Sequence, residues 1–354
     1  MAVAFRAIDT GVRDGRKQIA FDEALVELHH AGKVPDTLRF LRFPPTALVG
    51  RHQAIRREVK VDHCNANGIG LARRITGGGA IYLDENQVGW ELVLSRKRLP
   101  MQDLGAYTAA ICEAASDGLA KAFSIPATYR PRNDIVVEGQ KICGTGGFFD
   151  GDTLIYQGTV LVDVDPAKMM ACLNVPDVKP AARDLDKAEQ RVTTLKALLG
   201  KAPSVDDVHA ALIGGFERRL GIAVERGAIG QGEEDLAAEL GREMIETDDF
   251  VFEIDDPGGE GFVSAKRDCP GGTIEAFLRI GGSDDRKRIS EVLITGNFFA
   301  APPRTVLDLE ARLRGSPVEE VDAKIDQHFA EAEIGLITIS PDDVKSVLGE
   351  ALSQ

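Results

Sequence analysis

Arg73-Arg74-Ile75-Thr76-Gly77-Gly78-Gly79-Ala80-Ile81-Tyr82-Leu83-Asp84 is the stretch from which the chain is read. Three successive glycines let backbone approach a ligand closely and turn N–H groups toward an anion. The arginine pair and the Thr76 hydroxyl add charge and donors. The combination suits a phosphate or a nucleotide; a turn beside a solvated arginine pair is the alternative. A second stretch runs Asn133-Asp134-Ile135-Val136-Val137-Glu138-Gly139-Gln140-Lys141-Ile142-Cys143-Gly144. Glu138-Gly139-Gln140 is a hairpin turn between two short apolar strands. Lys141 follows it, either solvated or aimed into a pocket where its ammonium holds a carboxylate or phosphate. Neither Gly77-Gly78-Gly79 nor Gly144-Thr145-Gly146-Gly147 fits GxGxxG, because Tyr82 and Phe149 stand where the third glycine belongs. Walker A, HExxH and GxSxG motifs are absent.

Around these stretches the text alternates between helix and strand. Gln18 to His30 has Phe21, Leu25 and Leu28 at helical spacing and a stop at Gly32. Leu38 to Phe43 and Ala47 to Val49 read as strands separated by Pro44-Pro45. Trp90 to Leu94 and Leu154 to Val164 are further strands. Asp103 to Phe123 is a helix, and Ser204 caps another whose stripe is Val208, Leu212, Phe216 and Leu220. Between Gly227 and Gly261 stand twelve acids and one base, Arg242, a charge of -11. Glu233 to Glu246 reads there as a solvated helix, and Asp255-Asp256-Pro257-Gly258-Gly259 as a linker. A β-β-α tail follows: strands Thr273 to Ile280 and Arg288 to Phe299, then helices opened by Ser316-Pro317 and Ser340-Pro341. The expected division is 1–249 and 260–354.

The 354 residues carry 42 Lys and Arg against 56 Asp and Glu, a net charge of -14. That balance argues against a general nucleic-acid coat. No apolar stretch is long enough for a membrane span, and the N-terminus lacks the apolar region of a secretory signal. The five cysteines are scattered without a CxxC, which reads as reduced thiols of a cytoplasmic protein.

Taken together, the two stretches resemble the lipoate–protein ligase A family of the biotin/lipoyl ligase superfamily. The family's RRxSGGGAV(Y/F)HD stands here as RRITGGGAIYLD, and its NDxxxxGxKxSG as NDIVVEGQKICG. HGTLL is similar to Gln157 to Leu161, and KxxxxGxxSVxxRVTNL to Lys179 to Leu195. Ile19 to Glu23 resembles the family's NLAxEE, and Val49 to Gln53 its IGRxQN. The tail after Gly261 is similar to its small accessory domain.

The resemblance implies an α/β (α+β) fold: a class II synthetase-like catalytic domain on a mixed sheet, then a C-terminal α+β domain. It implies ATP-dependent activation of lipoate to lipoyl-AMP, usually with Mg2+, and transfer to a lysine of an acceptor: a lipoyl domain, an H-protein-like protein or a dedicated lipoate-binding protein. By the same correspondence, Arg74, Gly77, Gly78, Gly79, Ala80, Ile81 and Tyr82 line the nucleotide site. Lys141 is the catalytic cation touching carboxylate and phosphate. Asn133 and Asp134 hold the adenylate, Asp134 also being the candidate magnesium ligand. Thr193 belongs to the covering loop. Arg74, Gly78, Lys141 and Gly158 touch lipoate, whose chain is expected against Ile75, Trp90 and Val160.

Two departures stand out: Leu83 and Gln157 replace family histidines, which bears on acyl or acceptor preference. The rivals are an octanoyltransferase of the same superfamily, a biotin ligase and an inactive lipoyl-binding scaffold. The transferase needs a cysteine nucleophile, expected in the loop from Gly146 to Tyr156, which has none. A docking surface for an acidic acceptor is expected from Thr37 to Arg74, where eight bases face two acids, leaving +6.

Overall fold

The computed structural model describes residues 3–131, 133–174, 191–283, 286–332 and 336–354. Its strands are β1 (Val3–Val12), β2 (Thr37–Arg42), β3 (Thr46–Val49), β4 (Gly70–Arg73), β5 (Ile81–Leu83), β6 (Gln87–Ser95), β7 (Ala127–Arg130), β8 (Asp134–Val137), β9 (Gln140–Asp150), β10 (Thr153–Leu161), β11 (Ile222–Arg226), β12 (Phe262–Cys269), β13 (Gly272–Gly281) and β14 (Arg288–Gly296), with a short β15–β16 pair, Ala300–Ala301 and Leu336–Ile337, beyond them. Eight form one mixed sheet in the order β11-β1-β2-β6-β10-β9-β8-β7. Only the β11-β1 and β1-β2 pairs are parallel.

The first helix, α1 (Gly15–His30), starts where Asp14 accepts from the Arg16 N–H at 2.9 Å. It packs on one face of the sheet with Ile19, Phe21, Leu25, Leu41, Val93 and Ile155. On the other face lie α2 (Leu104–Phe123) and α3 (Val205–Leu220), over Phe40, Trp90, Leu92, Leu154 and Val160. A Cβ on Gly118 of α2 would stand 2.2 Å from the Ala211 carbonyl, and one on Gly215 of α3 2.2 Å from that of Ala114. Glycine on both helices thus sets their close approach.

β8 and β9 meet in a two-residue turn, Glu138 (φ 50°) and Gly139 (φ 85°), shorter than the three-residue turn read from the sequence. Two left-handed residues match the twist of a hairpin. The expected loop from Gly146 to Tyr156 is instead the tip of the β9–β10 hairpin, strand up to Asp150 and again from Thr153. The glycines there serve close packing: a Cβ on Gly147 would lie 2.3 Å from the Ile155 carbonyl.

The acidic segment is not simply solvated. The Gln231–Leu240 helix packs against α1, with Glu233 buried and paired to Arg6 at 2.7 Å and Glu234 paired to Arg13 at 2.7 Å. The residues after Gly261 build their own apolar core, from Ile274, Leu278, Ile294 and Phe298 to Leu313, Ile325 and Leu348. Beyond the sequence pattern, that part contains β12, the short β15–β16 pair and the Arg304–Leu313 helix.

Beneath α1, the sheet carries a buried charge cluster. Arg39 of β2, fully buried, donates to Asp22 of α1, to Glu91 of β6 at 3.0 Å and to Gln18 Oε1 at 2.6 Å. Its guanidinium also lies 4.6 Å from the centre of the Phe21 ring. Gln157 of β10 closes the cluster, its Nε2 donating to Asp22 Oδ2 at 2.7 Å and Glu91 Oε2 at 2.8 Å. Two carboxylates thus share one guanidinium. Burial, with Glu91 alongside, pushes the Asp22 carboxyl up to about 8. The folded protein holds this proton more tightly than the unfolded chain, so the group's stabilisation is complete below the ordinary carboxylate range and falls as pH rises toward about 8. Urea midpoints are expected to drop between about pH 5 and pH 8. Asp22→Asn, which cannot ionise, should shrink that drop; an identical drop in the variant would show that Asp22 is not its source.

Candidate active site

A cleft of about 380 Å³ opens between α1, the glycine stretch and the strands β2, β6, β10 and β9. It sits on the face that α1 covers. Gly77, Gly78, Gly79, Ala80, Ile81, Tyr82, Arg74, Asn133, Lys141 and Gly158 all line it. The two sequence stretches that made the resemblance therefore meet in one place.

The glycine loop is built by Arg74 from within. Its Nη2 donates to the Gly77 carbonyl at 2.9 Å and to the Gly79 carbonyl at 2.7 Å, and its Nε to Gly77 at 3.1 Å. The remaining Nη1 is buried without a partner, leaving a donor for a bound anion. Burial lowers the guanidinium to about 10, so it is cationic at neutral pH. Gly78 takes φ 94°, and Gly79 faces open space. A Cβ on Gly50 would fall 2.0 Å from the Gly78 carbonyl, so the Val49 to Gln53 motif backs the loop. One expected free donor is spent: the Gly78 N–H reaches the Phe298 carbonyl at 3.3 Å. The adjacent Arg73 is buried and donates only to backbone carbonyls, among them Gln53 at 2.7 Å and Val251 at 2.9 Å. The arginine pair is thus structural on one side and faces the cleft on the other.

Lys141 reaches back along β9. Its Nζ would lie 2.6 Å from a Cβ on Gly144, so only glycine there leaves the ammonium its seat. The Nζ also pairs with Asp134 Oδ1 at 2.8 Å. Asp134 Oδ2 accepts from Arg130 at 2.6 Å. Burial raises the Asp134 carboxyl, but the two cations outweigh it and hold it below its ordinary value. Asp134 stands behind Lys141 and does not line the cleft. Both Asp134 oxygens are engaged by cations, so the carboxylate expected to hold magnesium is paired with Lys141 and Arg130 here.

Asn133 is fixed by Thr145, whose N–H and hydroxyl both donate to the Asn133 carbonyl, at 3.0 and 2.9 Å. The Thr145 hydroxyl also meets the Tyr156 hydroxyl at 2.7 Å. The residues 191–193 lie alongside β9, with Lys141 N–H to the Arg191 carbonyl and Thr193 N–H to the Lys141 carbonyl, both 2.9 Å. Alternation along that extended segment points Val192, not Thr193, at the cleft. The expected contact of Thr193 is thus corrected to a backbone one. The rest of the covering segment, 179–190, lies outside the described residues.

The register defines a channel across the sheet. Gly144, Thr159, Gly89 and Leu41 stand side by side on β9, β10, β6 and β2. Three strand spacings span about 14 Å. The next row on the same face is Gly146, Gln157, Glu91 and Arg39, the charge cluster. Gln157 and Leu83, the two departures, both line the cleft. Of the expected chain contacts, Trp90 lines it through the gap at Gly158, where a Cβ would meet the indole at 2.3 Å. Val160 points to the opposite face, because neighbouring strand residues alternate, and Ile75 is buried in the core on the α1 side and does not line the cleft.

No local pattern in the chain marks Phe299. It follows β14 and lays its ring between the glycine loop and β9, 3.0 Å from a Cβ on Gly78 and 2.9 Å from one on Gly146. Nor do the bases from Thr37 to Arg74 form the expected docking surface. Arg39 and Arg73 are buried, Arg51 pairs with Glu253, Arg56 with Asp255 at 2.8 Å and Arg57 with Glu275 at 2.9 Å. The acidic segment folds back onto the basic one and pairs with Arg51, Arg56 and, through Asp256 at 3.4 Å, Arg57.

The family model described as "Lipoyl protein ligase A/B catalytic domain" matches residues 14–217, more than half of the chain. The octanoyltransferase LipM of Halalkalibacterium halodurans is 26% identical over 272 residues, 70% of this chain and 98% of that protein. A structure from the archaeal lipoylation system of Thermoplasma acidophilum, which comprises a bi-partite lipoate protein ligase and its E2 lipoyl domain, is 27% identical, with a TM-score of 0.64 over 73% of this chain and 99% of its own. P. falciparum LipL1 in complex with lipoate shares the fold at 17% identity, with a TM-score of 0.75 over 97% of this chain and 98% of its own. The match spans both cleft-forming stretches and the sheet between them, and the chain belongs to the lipoyl protein ligase A/B catalytic-domain family.

Proposed function

We propose that this enzyme is a lipoate–protein ligase, joining lipoate and ATP to lipoyl-AMP and passing the lipoyl group to a lysine of an acceptor protein. One observation carries the choice of ligase over transferase: a lysine and a glycine loop converge on the cleft, and no cysteine lines it. Cys143 is fully buried, and burial, with Cys112 nearby, pushes its thiol up to about 12. Such a thiol is inert as a nucleophile. The second reading, octanoyl transfer, is favoured by the likeness to LipM.

In the ligase reading, the acyl chain lies along the Gly144–Thr159–Gly89–Leu41 row with its carboxylate at Lys141. The loop N–H groups and the spare Arg74 donor face the α-phosphate. Adenylation brings two anions together, and a fixed ammonium and oriented donors lower that repulsion. No protein nucleophile is needed; holding the carboxylate in line with the phosphorus does most of the work. The carboxylate oxygen displaces pyrophosphate from the α-phosphorus; the neutral amine of the acceptor lysine then attacks the acyl carbon, AMP leaves with Lys141 still neutralising its phosphate, and the amine's proton goes to water. The acceptor is a lipoyl domain or a protein of that kind. We also propose that 1–249 is the catalytic domain and 260–354 the accessory domain, which supports the cleft through Phe299.

Lys141→Ala should abolish lipoate-dependent ATP–pyrophosphate exchange while leaving the circular dichroism spectrum unchanged. Lys141→Arg should fail too, because a planar fork does not fit the seat of a compact ammonium above Gly144. Normal exchange by either variant would overturn the assignment. Cys143→Ser should keep full ligation. Loss of turnover in that variant, with an acylated wild-type enzyme trapped on Cys143 by mass spectrometry, would establish the transferase instead.

A further inference from the structure

Gln157 closes the charge cluster and also lines the channel. Its Nε2 sits between Asp22 Oδ2 and Glu91 Oε2, at 2.7 and 2.8 Å. Both amide hydrogens are therefore taken. In this orientation both carboxyl oxygens meet amide hydrogens, whereas the turned amide would set its oxygen 2.8 Å from Glu91 Oε2. The amide oxygen accepts from no described residue. It stands beside a channel whose other walls are largely apolar, among them Leu41, Phe43, Leu48 and Leu83.

The position along the channel follows from the register. Lys141 Nζ sits over Gly144 on β9, and the Gln157 carboxamide extends from β10 toward Glu91 on β6. It flanks the channel about 7 Å from β9, one and a half strand spacings on. An acyl chain anchored at Lys141 passes this point with its distal half.

A plain alkyl segment laid there strips the oxygen of water and returns no donor. A chain with a donor on its distal half satisfies it. We propose that Gln157 is a specificity-determining residue that selects an eight-carbon acyl acid bearing a distal hydrogen-bond donor, the open dithiol form of the lipoyl group, over the cyclic disulfide and over octanoate. This rests on the ligase reading above. A thiol is a weak donor, so the preference over octanoate is about tenfold, the size of one modest hydrogen bond.

The test uses the full chain with dihydrolipoate under reductant, lipoate, octanoate and 6-hydroxyoctanoate. Dissociation constants come from calorimetry, and kcat/KM from ATP–pyrophosphate exchange. Wild type should prefer dihydrolipoate to octanoate about tenfold, and 6-hydroxyoctanoate, with its stronger donor, at least as much. Gln157→Leu should bring the ratio close to one by improving octanoate. The series on wild type needs no variant, so a poorly folded Gln157→Leu does not leave the matter open. Equal affinity of wild type for octanoate and both donor-bearing acids, or an unchanged ratio in a folded Gln157→Leu, would overturn the proposal. If the acids bind in the expected order but none supports pyrophosphate exchange, the specificity stands and the ligase reading falls.

Discussion

The guanidinium of Arg39 is the fixed point around which the cleft is arranged. It is buried between α1 and the sheet, where an unpaired cation would be very costly. Its partners come from four separate elements: Asp22 and Gln18 from α1, Thr10 from β1, Glu91 from β6 and, through the two carboxylates, Gln157 from β10. Satisfying one charge thereby sets the seating of α1 and the row in which β2, β6 and β10 align. The channel is the neighbouring row, two residues along each strand. Its floor exists because Gly144 and Gly89 have no side chains to fill it.

The opposite wall is made by backbone rather than side chains. Arg74 binds the carbonyls of the loop it precedes, so the carbonyls turn inward and the loop's outer surface is free for a ligand. The loop is pinned from behind by Gly50 and from the C-terminal part by the Phe298 carbonyl and the Phe299 ring. A residue distant in sequence thus shapes the mouth of the cleft. This gives the C-terminal part a physical hold on the site, through one hydrogen bond and one aromatic contact.

Charge behaves differently on the surface and in the interior. The acidic segment and the basic segment, each strongly unbalanced when read alone, fold onto one another through Arg51, Arg56 and Arg57, paired to Glu253, Asp255 and Asp256. Exposed pairs of this kind contribute little to stability. They do remove the long-range field that a count along the sequence suggests. Charge summed over a window of sequence describes a surface only when the fold does not supply the opposite sign.

Much of the site was legible in the chain itself. The glycine loop, Lys141 and the hairpin before it could be picked out because each requirement is local: a turn needs φ above zero, a strand alternates and a loop that meets an anion cannot carry side chains; Asn133 and Gly158 were marked only by the family resemblance. The major helices were legible for the same reason, since amphipathic spacing and caps act within a few residues. Tertiary structure alone decided which side of a strand faces the ligand. One-residue alternation sends Thr159 and Leu161 to the cleft and Val160 away, and exchanges Thr193 for Val192. It alone revealed Phe299, the charge cluster under α1 and the cancellation of the basic segment. Those features depend on register and long-range pairing, which fix neighbours across a sheet and leave no periodic trace along a single chain.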